Sequence, residues 1–535
     1  MEKVLLNISL FLTLIYFYRL TRHGIHMLQL ESYFLSRYTK WMKKNLKKVV
    51  NIKAIILLLI SSVLVLINNK ITILVGLILE ILFLLFLIFT FKKQKEKKPL
   101  VVTARVKRMY VTYLILFAIL VVCANVFNYR VVLVISNICV ICAYLFVCLV
   151  NIINSPIEKS IRMKFLIQAK NKLKEIPGLK VVGITGSYGK TSTKYVVNTI
   201  LSQKYNTLMT PESYNTTMGV VRTINEKLSP MHQLFICEMG AKNVGDIKEI
   251  TDIVNPTYGI LTAIGPQHLD TFKSLDNVRK TKLELIDALP DEDGIAFVNW
   301  EDENIRNSKI TKKMVKFGLS SDADYYAKNI EINERGSSFD VVMPDGKEPI
   351  KIKTRLLGDL NILNIVGAIA IADKLGLTED EIKMGVKYIK PVTHRLELKQ
   401  NSNGSIIIDD AYNSNIKGAT MALEVLKSFK GKQRILITPG IVELGEKQAE
   451  INTDLGRKAA DSSDFIILVG ANQAVPIYNG IKEKHYLLSK VFIAKNLNEA
   501  LSKMNEILTP NSVVLFENDL PDNYLWYSGT SLKVS

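Results

Sequence analysis

Acidic residues are nearly missing from the first third of this 535-residue sequence. Residues 1–175 hold six Asp and Glu against 26 Lys and Arg, whereas the remainder holds 44 against 43. The formal net charge of +19 therefore belongs to the N-terminal third. A nucleic-acid binder would carry its basic surface on a folded, soluble part. Here that part is electrically balanced, so nucleic acid is not an expected partner. Cysteine is scarce as well. Of the five, Cys123, Cys139, Cys142 and Cys148 lie in apolar runs and Cys237 lies in the later part. Cys139 and Cys142 are spaced C-x-x-C, but no second Cys/His pair stands near them. They read as small apolar side chains packed in a membrane helix, and a disulfide framework is not indicated.

Apolar residues fill the N-terminal third. Five stretches are visible, at roughly 4–18, 54–68, 71–91, 109–128 and 131–152. A span needs about 20 apolar residues, so the first two are short. The first has no small-residue cleavage site and is followed by further apolar runs, so it is not read as a signal peptide. The connecting segments give an orientation. Arg37, Lys40, Lys43, Lys44, Lys47, Lys48 and Lys53 follow the first stretch, with Arg22 before them, and Lys92–Arg108 is similarly basic. Asn68-Asn69-Lys70 and Asn128-Tyr129-Arg130 are short and nearly uncharged. Basic loops stay in the cytoplasm, so five spans start the chain outside and deliver residue 155 onward to the cytoplasm. Glu80 stands inside the third stretch, where an ionisable side chain has either a functional partner or a neutral, protonated form. Residues 156–178 read as a basic, partly amphipathic helix and linker able to lie along an anionic leaflet, with Ile161, Phe165, Ile167 and Leu173 among Arg162, Lys164, Lys170 and Lys174.

From residue 179 the pattern changes. Leu179–Thr185 is a short buried-strand pattern, Gly186-Ser-Tyr-Gly-Lys-Thr191 follows, and Ser192–Leu201 is helical. Strand, glycine turn, Lys-Thr and helix together form a cradle for nucleotide phosphates. Backbone N–H groups around Gly186, Ser187 and Gly189 point at phosphate oxygens, and the helix start at Thr191 and Ser192 adds partial positive charge. Lys190 reaches the terminal phosphates, and the Thr191 hydroxyl holds Mg²⁺. The glycine spacing is G-x-x-G-K-T, with Ile184 where the commoner loop has its first glycine.

This shorter loop resembles that of the Mur ligases and folylpolyglutamate synthases, and further Mur ligase motifs recur in family order over residues 179–535. Glu238-Met-Gly-Ala-Lys-Asn-Val-Gly-Asp-Ile247 is similar to the family's E-M-G-A-x-x-x-G-[ED]-I, which points to the branch adding D-alanyl-D-alanine to the UDP-muramoyl tripeptide. Glu238 then implies an Mg²⁺ ligand. Ala263-Ile-Gly-Pro-Gln-His-Leu-Asp270 resembles N-I-G-x-x-H-[LM]-[ED], which makes His268 a ligand of a second Mg²⁺. Val278–Leu285 resembles the A-K-x-E-[LI] helix, so Lys282 matches the lysine that CO₂ converts to a metal-binding carbamate, with Lys280 as the register alternative. Gly358-Asp-Leu-Asn361-Ile-Leu-Asn364 resembles G-x-H-N-x-x-N, and Asn361 and Asn364 take the adenine role, with Leu360 where His is common. Pro391–Glu397 resembles the hinge into the last domain, with Arg395 on the phosphate. Ile406–Asn415 resembles I-D-D-x-Y-N-A-N-P, with Asp410 on the ribose and Ile416 where Pro is usual. Ile435–Gly445 is similar to the loop written G-x-M-x-E-L-G. Val513–Asp519 looks like the last strand, without the lysine the family carries there.

The resemblance implies a multi-domain chain. A helical membrane domain (1–155) and the basic linker (156–178) precede an α/β P-loop domain with a mainly parallel sheet (179–391) and a C-terminal Rossmann-like α/β domain (392–535). It implies an ATP- and Mg²⁺-dependent ligase of the bacterial cytoplasmic membrane, multi-pass, with cytoplasmic catalytic domains. The catalytic residues would be Lys190, Lys282, His268 and Arg395, with Thr191, Glu238, His268 and carbamylated Lys282 on metal. An acyl phosphate on a muramoyl peptide, UDP-linked or lipid-linked, would be attacked by an amino acid or dipeptide. Five apolar stretches replace the family's uridine-nucleotide domain, which leaves open another cell-envelope polymer, a polyglutamate, or a non-catalytic partner in wall synthesis. An ATP-driven transporter is disfavoured by the loop spacing and the lack of an L-S-G-G-Q signature.

Overall fold

The computed structural model describes all residues except 1, 68, 91–98, 127–128, 213, 334–335, 345, 393, 412–415, 443 and 519–535. The chain divides into two compact units, cut between Arg162 and Met163. The first unit is all helical: α1 (Glu2–Leu30), α2 (Leu35–Lys44), α3 (Leu46–Val49), α4 (Ile52–Leu66), α5 (Lys70–Thr90), α6 (Ala104–Val126), α7 (Tyr129–Ile141) and the start of α8 (Ala143–Lys174). Among the described residues α1 and α5 are long and apolar enough to cross a membrane. The helices Arg130–Ile141 and Ala143–Lys174 together form a third candidate if a pair bent by 89° counts as one span. The structure departs here from the expected stretches. The 4–18 run is embedded in a 29-residue helix, α4 has only 15 residues, and 131–152 is broken near Cys142, although no Pro or Gly marks the break. The 109–128 run falls in α6 and in part outside the described residues.

Polar groups in an apolar bundle must satisfy one another, since lipid offers no partner. Glu80, midway along α5, is fully buried. It accepts from Ser9 Oγ of α1 at 2.6 Å, Ser61 Oγ of α4 at 2.8 Å and Asn137 Nδ2 of α7 at 3.1 Å. One carboxyl group thus joins four helices. Replacing Glu80 by Ala leaves these donors facing hydrocarbon, whereas Gln keeps an acceptor there. The expected outcome in detergent is a melting temperature about 5 °C lower or more for Glu80→Ala and near wild type for Glu80→Gln. Equal melting of the two would show that the bonds add nothing.

Where a basic helix and linker were expected, α8 continues through Pro156 to Lys174. Within the second unit its Leu166, Ala169 and Leu173, followed by Ile176, pack into a core, while Phe165 and Ile167 remain exposed.

The second unit contains two α/β layers, as the fold class expected. The first comprises β1 (Lys180–Thr185), α9 (Lys190–Leu201), β2 (Thr207–Met209), α10 (Thr217–Lys227), β3 (Leu234–Glu238), α11 (Asp246–Val254), β4 (Tyr258–Leu261), α12 (Leu269–Phe272), α13 (Leu275–Asp287), β5 (Ile295–Asn299), α14 (Glu303–Arg306), β6 (Met314–Gly318), β7 (Tyr325–Asn333), β8 (Gly336–Val342), β9 (Ile350–Thr354), α15 (Asp359–Lys374) and α16 (Glu379–Tyr388). Its nine strands run in the order β2-β3-β1-β4-β5-β6-β7-β8-β9. The pairs from β2 to β7 are parallel, and β7, β8 and β9 close the sheet as an antiparallel meander. Strands covered on both faces need apolar runs without alternation, and the fully buried Leu234–Glu238 run is one. The second layer comprises β10 (Glu397–Gln400), β11 (Ile406–Asp410), α17 (Ile416–Ser428), β12 (Gln433–Thr438), α18 (Gln448–Ser462), β13 (Phe465–Val469), α19 (Ala471–Glu483), β14 (Val491–Ala494), α20 (Leu497–Ile507) and β15 (Ser512–Glu517). Its strand order is β10-β11-β15-β12-β13-β14, parallel except for the β10–β11 pair. In both layers the strand ends β1, β3 and β11 bring the expected chemistry to loops at the carboxyl edge, where open parallel sheets bind ligands.

Candidate active site

The phosphate loop leaves β1 and enters α9. Gly186 has φ +153°, and a Cβ there would fall 2.1 Å from Thr262 Oγ1, so only glycine fits. Gly189, at φ +79°, precedes the first residue of α9. The loop is braced by the segment after β4. Ser187 donates its N–H to Ala263 O at 2.7 Å, its hydroxyl bonds Gly265 O and accepts from Gly265 N–H, and Tyr188 Oη donates to Pro266 O. Lys190 folds over the loop and donates to Gly186 O at 2.7 Å and Ser187 O at 3.3 Å. Enclosure of its ammonium lowers its pKa to about 8; Glu238 opposes this and the Arg395 charge adds to it. Although the residue keeps some exposed surface, its charged end is enclosed. Ser192 lies in the first turn of α9 and is partly exposed.

Glu238 ends β3, fully buried. Its Oε1 accepts from Thr191 Oγ1 at 3.0 Å and from Asn215 Nδ2 at 2.9 Å, and its Oε2 lies 3.1 Å from Lys194 Nζ, in contact though not in hydrogen-bond alignment. Lys194 is also fully buried. Neither Lys194 nor Asn215 was anticipated. Lys194 follows Lys190 by one helical turn, a spacing that puts both on one face; Asn215 has no comparable signal. A hydroxyl and a carboxylate oxygen side by side at the mouth of a phosphate loop are hard donors of the kind Mg²⁺ takes, with water and phosphate completing the shell. Thr191 and Glu238 therefore fit one Mg²⁺. Among the described residues, no three His, Cys, Asp or Glu side chains gather as an all-protein metal site.

Lys282 and Lys280 separate clearly. Lys282, on α13, is 2% exposed, whereas Lys280 is on the exposed surface. Burial depresses the Lys282 pKa far below lysine's usual range, and the charge of Lys190 depresses it further against Asp246 and Glu284. Two of the expected catalytic lysines thus share one electrostatic environment. Neighbouring Glu284 accepts from Gly245 N–H at 2.9 Å and Lys248 N–H at 2.8 Å, which ties α13 to the start of α11. His268 stands at the head of α12 with a left-handed φ of 52°. The side chain of Asp270 lies outside the described residues.

The expected adenine asparagines are engaged within the protein. Asn361 Nδ2 donates to Leu357 O at 2.8 Å, and Asn364 Oδ1 accepts from Thr193 Oγ1 at 2.8 Å, which ties α15 to α9. Asp410, at the end of β11, accepts from Leu396 N–H at 3.1 Å. Burial raises its pKa to about 6, against the Arg395 charge and that hydrogen bond, with Asp409 adding to the rise. The charge of Arg395 acts on both Lys190 and Asp410. Asn413, Asn415, Glu443 and Asp519 of the expected motifs lie outside the described residues. At the end of β15, Glu517 accepts from Thr438 Oγ1 at 2.5 Å and Asn518 Nδ2 donates to Gly440 O at 2.6 Å, so this end closes on the β12 loop.

Residues 184–372 match the Mur ligase middle domain, and residues 394–517 match the Mur ligase glutamate ligase domain. The chain is similar to the UDP-N-acetylmuramoyl-tripeptide–D-alanyl-D-alanine ligase of Escherichia coli (strain K12), 32% identical over 333 residues, which is 61% of this chain and 72% of that protein. It is 33% identical over 321 residues to the ligase of the same name from Buchnera aphidicola subsp. Acyrthosiphon pisum, covering 58% of this chain and 69% of that one. Among solved structures, MurF from Acinetobacter baumannii superposes with a TM-score of 0.61 at 27% identity, over 68% of this chain and 78% of that one. Lys190, Thr191, Glu238, Lys282 and Arg395 all lie within the matched residues. The chain belongs to the Mur ligase family, in its MurF-like branch, with an all-helical N-terminal region in place of the usual UDP-binding domain.

Proposed function

We propose that this ligase joins D-alanyl-D-alanine to the peptide of a muramoyl acceptor at the cytoplasmic face of a bacterial membrane. The observation that carries the reading is the phosphate loop itself, with Lys190 folded over it and Thr191 bonded to the buried Glu238, in a chain similar to ligases of that specificity. Residues 1–155 form the membrane domain, 156–178 its basic extension, 179–391 the ATP domain and 392–535 the closing domain. The acceptor's carboxylate oxygen attacks the γ-phosphorus of ATP, the bond to ADP breaks, and an acyl phosphate forms. The amine of the dipeptide then attacks the acyl carbon, phosphate leaves, and the amine's proton is lost. Lys190 draws the γ-phosphate into the loop, Arg395 faces it from the other domain, and Asp410 orients the ribose. Magnesium held by Thr191 and Glu238 would offset charge on the transferring phosphoryl group. His268 and a carbamylated Lys282 would hold a second ion.

The helical domain keeps the reaction at the membrane, which suits a lipid-linked muramoyl peptide as well as the UDP-linked form. Purified full-length protein in detergent, incubated with ATP, D-Ala-D-Ala and either acceptor, should yield a product heavier by one dipeptide less water. If neither acceptor reacts while ATP still binds, the specificity reading fails, and another envelope polymer or a polyglutamate becomes the acceptor to test. For topology, five spans place the ligase in the cytoplasm. A reporter fused after residue 155 should be cytoplasmic and one in the Asn68–Lys70 loop external; the reverse pattern would overturn this orientation.

A further inference from the structure

We propose that Lys417 is a positioning residue for ligation: it reaches from the C-terminal domain to the buried Asp302 of the central domain and holds the two halves of the nucleotide site in register. The inference rests on the ligase reading above.

Lys417 lies in the first turn of α17, seven residues after Asp410. Its Nζ is 2.8 Å from Asp302 Oδ2. The asymmetry of the pair is informative. The lysine is half exposed, whereas the carboxylate is fully buried. A buried carboxylate needs a counter-charge or strong hydrogen bonds, and here the counter-charge comes from another domain.

Asp302 is not an isolated anchor. Its Oδ1 accepts from Ile305 N–H at 3.2 Å and so caps α14. Its Oδ2 also receives Ile264 N–H at 3.4 Å, and Asn304 Nδ2 donates to Ile264 O at 2.8 Å. Ile264 stands between Ala263 and Gly265, whose backbones brace Ser187 of the phosphate loop. A short series of contacts therefore runs from Lys417 through Asp302 and Ile264 to the phosphate loop.

The same helix makes a second crossing. A Cβ at Gly358 would meet Met421 Sδ at 2.9 Å and Val425 Cγ2 at 3.5 Å, and Leu357 is buried in the C-terminal core. So α17 touches the central domain both at Asp302 and at the turn that leads to Asn361. The apolar crossing gives contact without direction, while the ion pair fixes one rotation of α17 and, with it, the approach of Asp410. Loss of the lysine leaves the carboxylate buried and uncompensated, which favours separation of the domains and entry of water to the acyl phosphate.

The test uses full-length Lys417→Ala, Lys417→Gln and Lys417→Arg in detergent. For Ala and Gln the expected result is a several-fold rise in the KM for ATP and more than one ATP hydrolysed per amide formed. Arg, which keeps charge and reach, should restore coupling. Gln tests charge apart from length, and Lys427→Ala, exposed in the last turn of α17, serves as a surface control. Unchanged ATP KM and coupling in the Ala and Gln variants would overturn the proposal, as would failure of Arg to restore them. ATP affinity by calorimetry needs no acceptor: a weakened Ala variant supports the positioning role even if the wild type fails to use a muramoyl acceptor, which would count against the specificity reading alone.

Discussion

Lys190→Ala should lower ATP turnover by about 10²- to 10³-fold, the usual scale for losing one preorganised donor to a developing charge, while leaving the melting temperature close to that of the wild type. Among the described residues its ammonium bonds the carbonyls of its own loop, Gly186 and Ser187. Those two bonds are the interactions a γ-phosphate would replace. The pH dependence gives a second readout. With a pKa of about 8 in the nucleotide-free protein, the group is largely cationic below pH 8 and largely neutral above it. Phosphate oxygens favour the cation, so nucleotide binding takes up protons near pH 8 and weakens as pH rises beyond it. Because the folded pKa lies below lysine's ordinary value, the same group adds to stability as pH rises from about 8 toward 10.5. Isothermal calorimetry in two buffers of different ionisation heat measures the proton uptake. Lys190→Ala should abolish it. A variant that hydrolyses ATP normally, or that keeps the uptake, would mean this loop is not the phosphate site.

The parts of this site that could be read from sequence are those where one local segment carries the whole requirement. Strand, glycine turn, Lys-Thr and helix are contiguous from 179 to 201, and the structure reproduces them as β1, loop and α9. The buried run ending at Glu238 likewise announces a central strand. What sequence did not reveal depends on contacts between distant segments. Glu238 is held by Asn215 and Lys194, 23 and 44 residues away. Asp302 meets Lys417 across 115 residues. No local pattern specifies such pairs. Pro156 illustrates a different limit. Proline usually ends or kinks a helix by removing one backbone bond, yet α8 runs through it and later packs Leu166, Ala169 and Leu173 into a core. Packing on its far side overrides the local preference. The asparagine motif shows a third limit. Asn364 was legible as a motif member, but its oxygen receives the Thr193 hydroxyl, a use that a motif cannot disclose.

Lys282→Ala should lower amide formation by at least about 100-fold, and small carboxylates should partly restore it. Full burial of an amine normally means a structural partner or a neutral group. Here burial and the Lys190 charge both press Lys282 toward the neutral amine, with Asp246 and Glu284 resisting. A neutral amine is the form that reacts with CO₂: its nitrogen bonds the carbon, a proton leaves, and a carbamate anion remains. That step would replace repulsion between two lysines with attraction and leave an anionic oxygen donor near the phosphate loop. Two treatments should then act in opposite ways. Millimolar acetate or formate should rescue Lys282→Ala, since a small anion can enter the vacated volume. Depletion of bicarbonate and CO₂ should slow the wild type and leave the variant unchanged. Lys280 is the control, two residues away and exposed, so Lys280→Ala should keep near-normal activity. Isotopically labelled CO₂ followed by carbon NMR gives a readout independent of turnover: a carbamate resonance in the wild type, absent from Lys282→Ala and present in Lys280→Ala. If Lys280→Ala were the dead variant, the register along α13 would be shifted by two. If Lys282→Ala lost activity with no rescue and the wild type showed no carbamate signal, Lys282 would act as a buried neutral amine, and His268 would be left to hold the second metal ion with water alone.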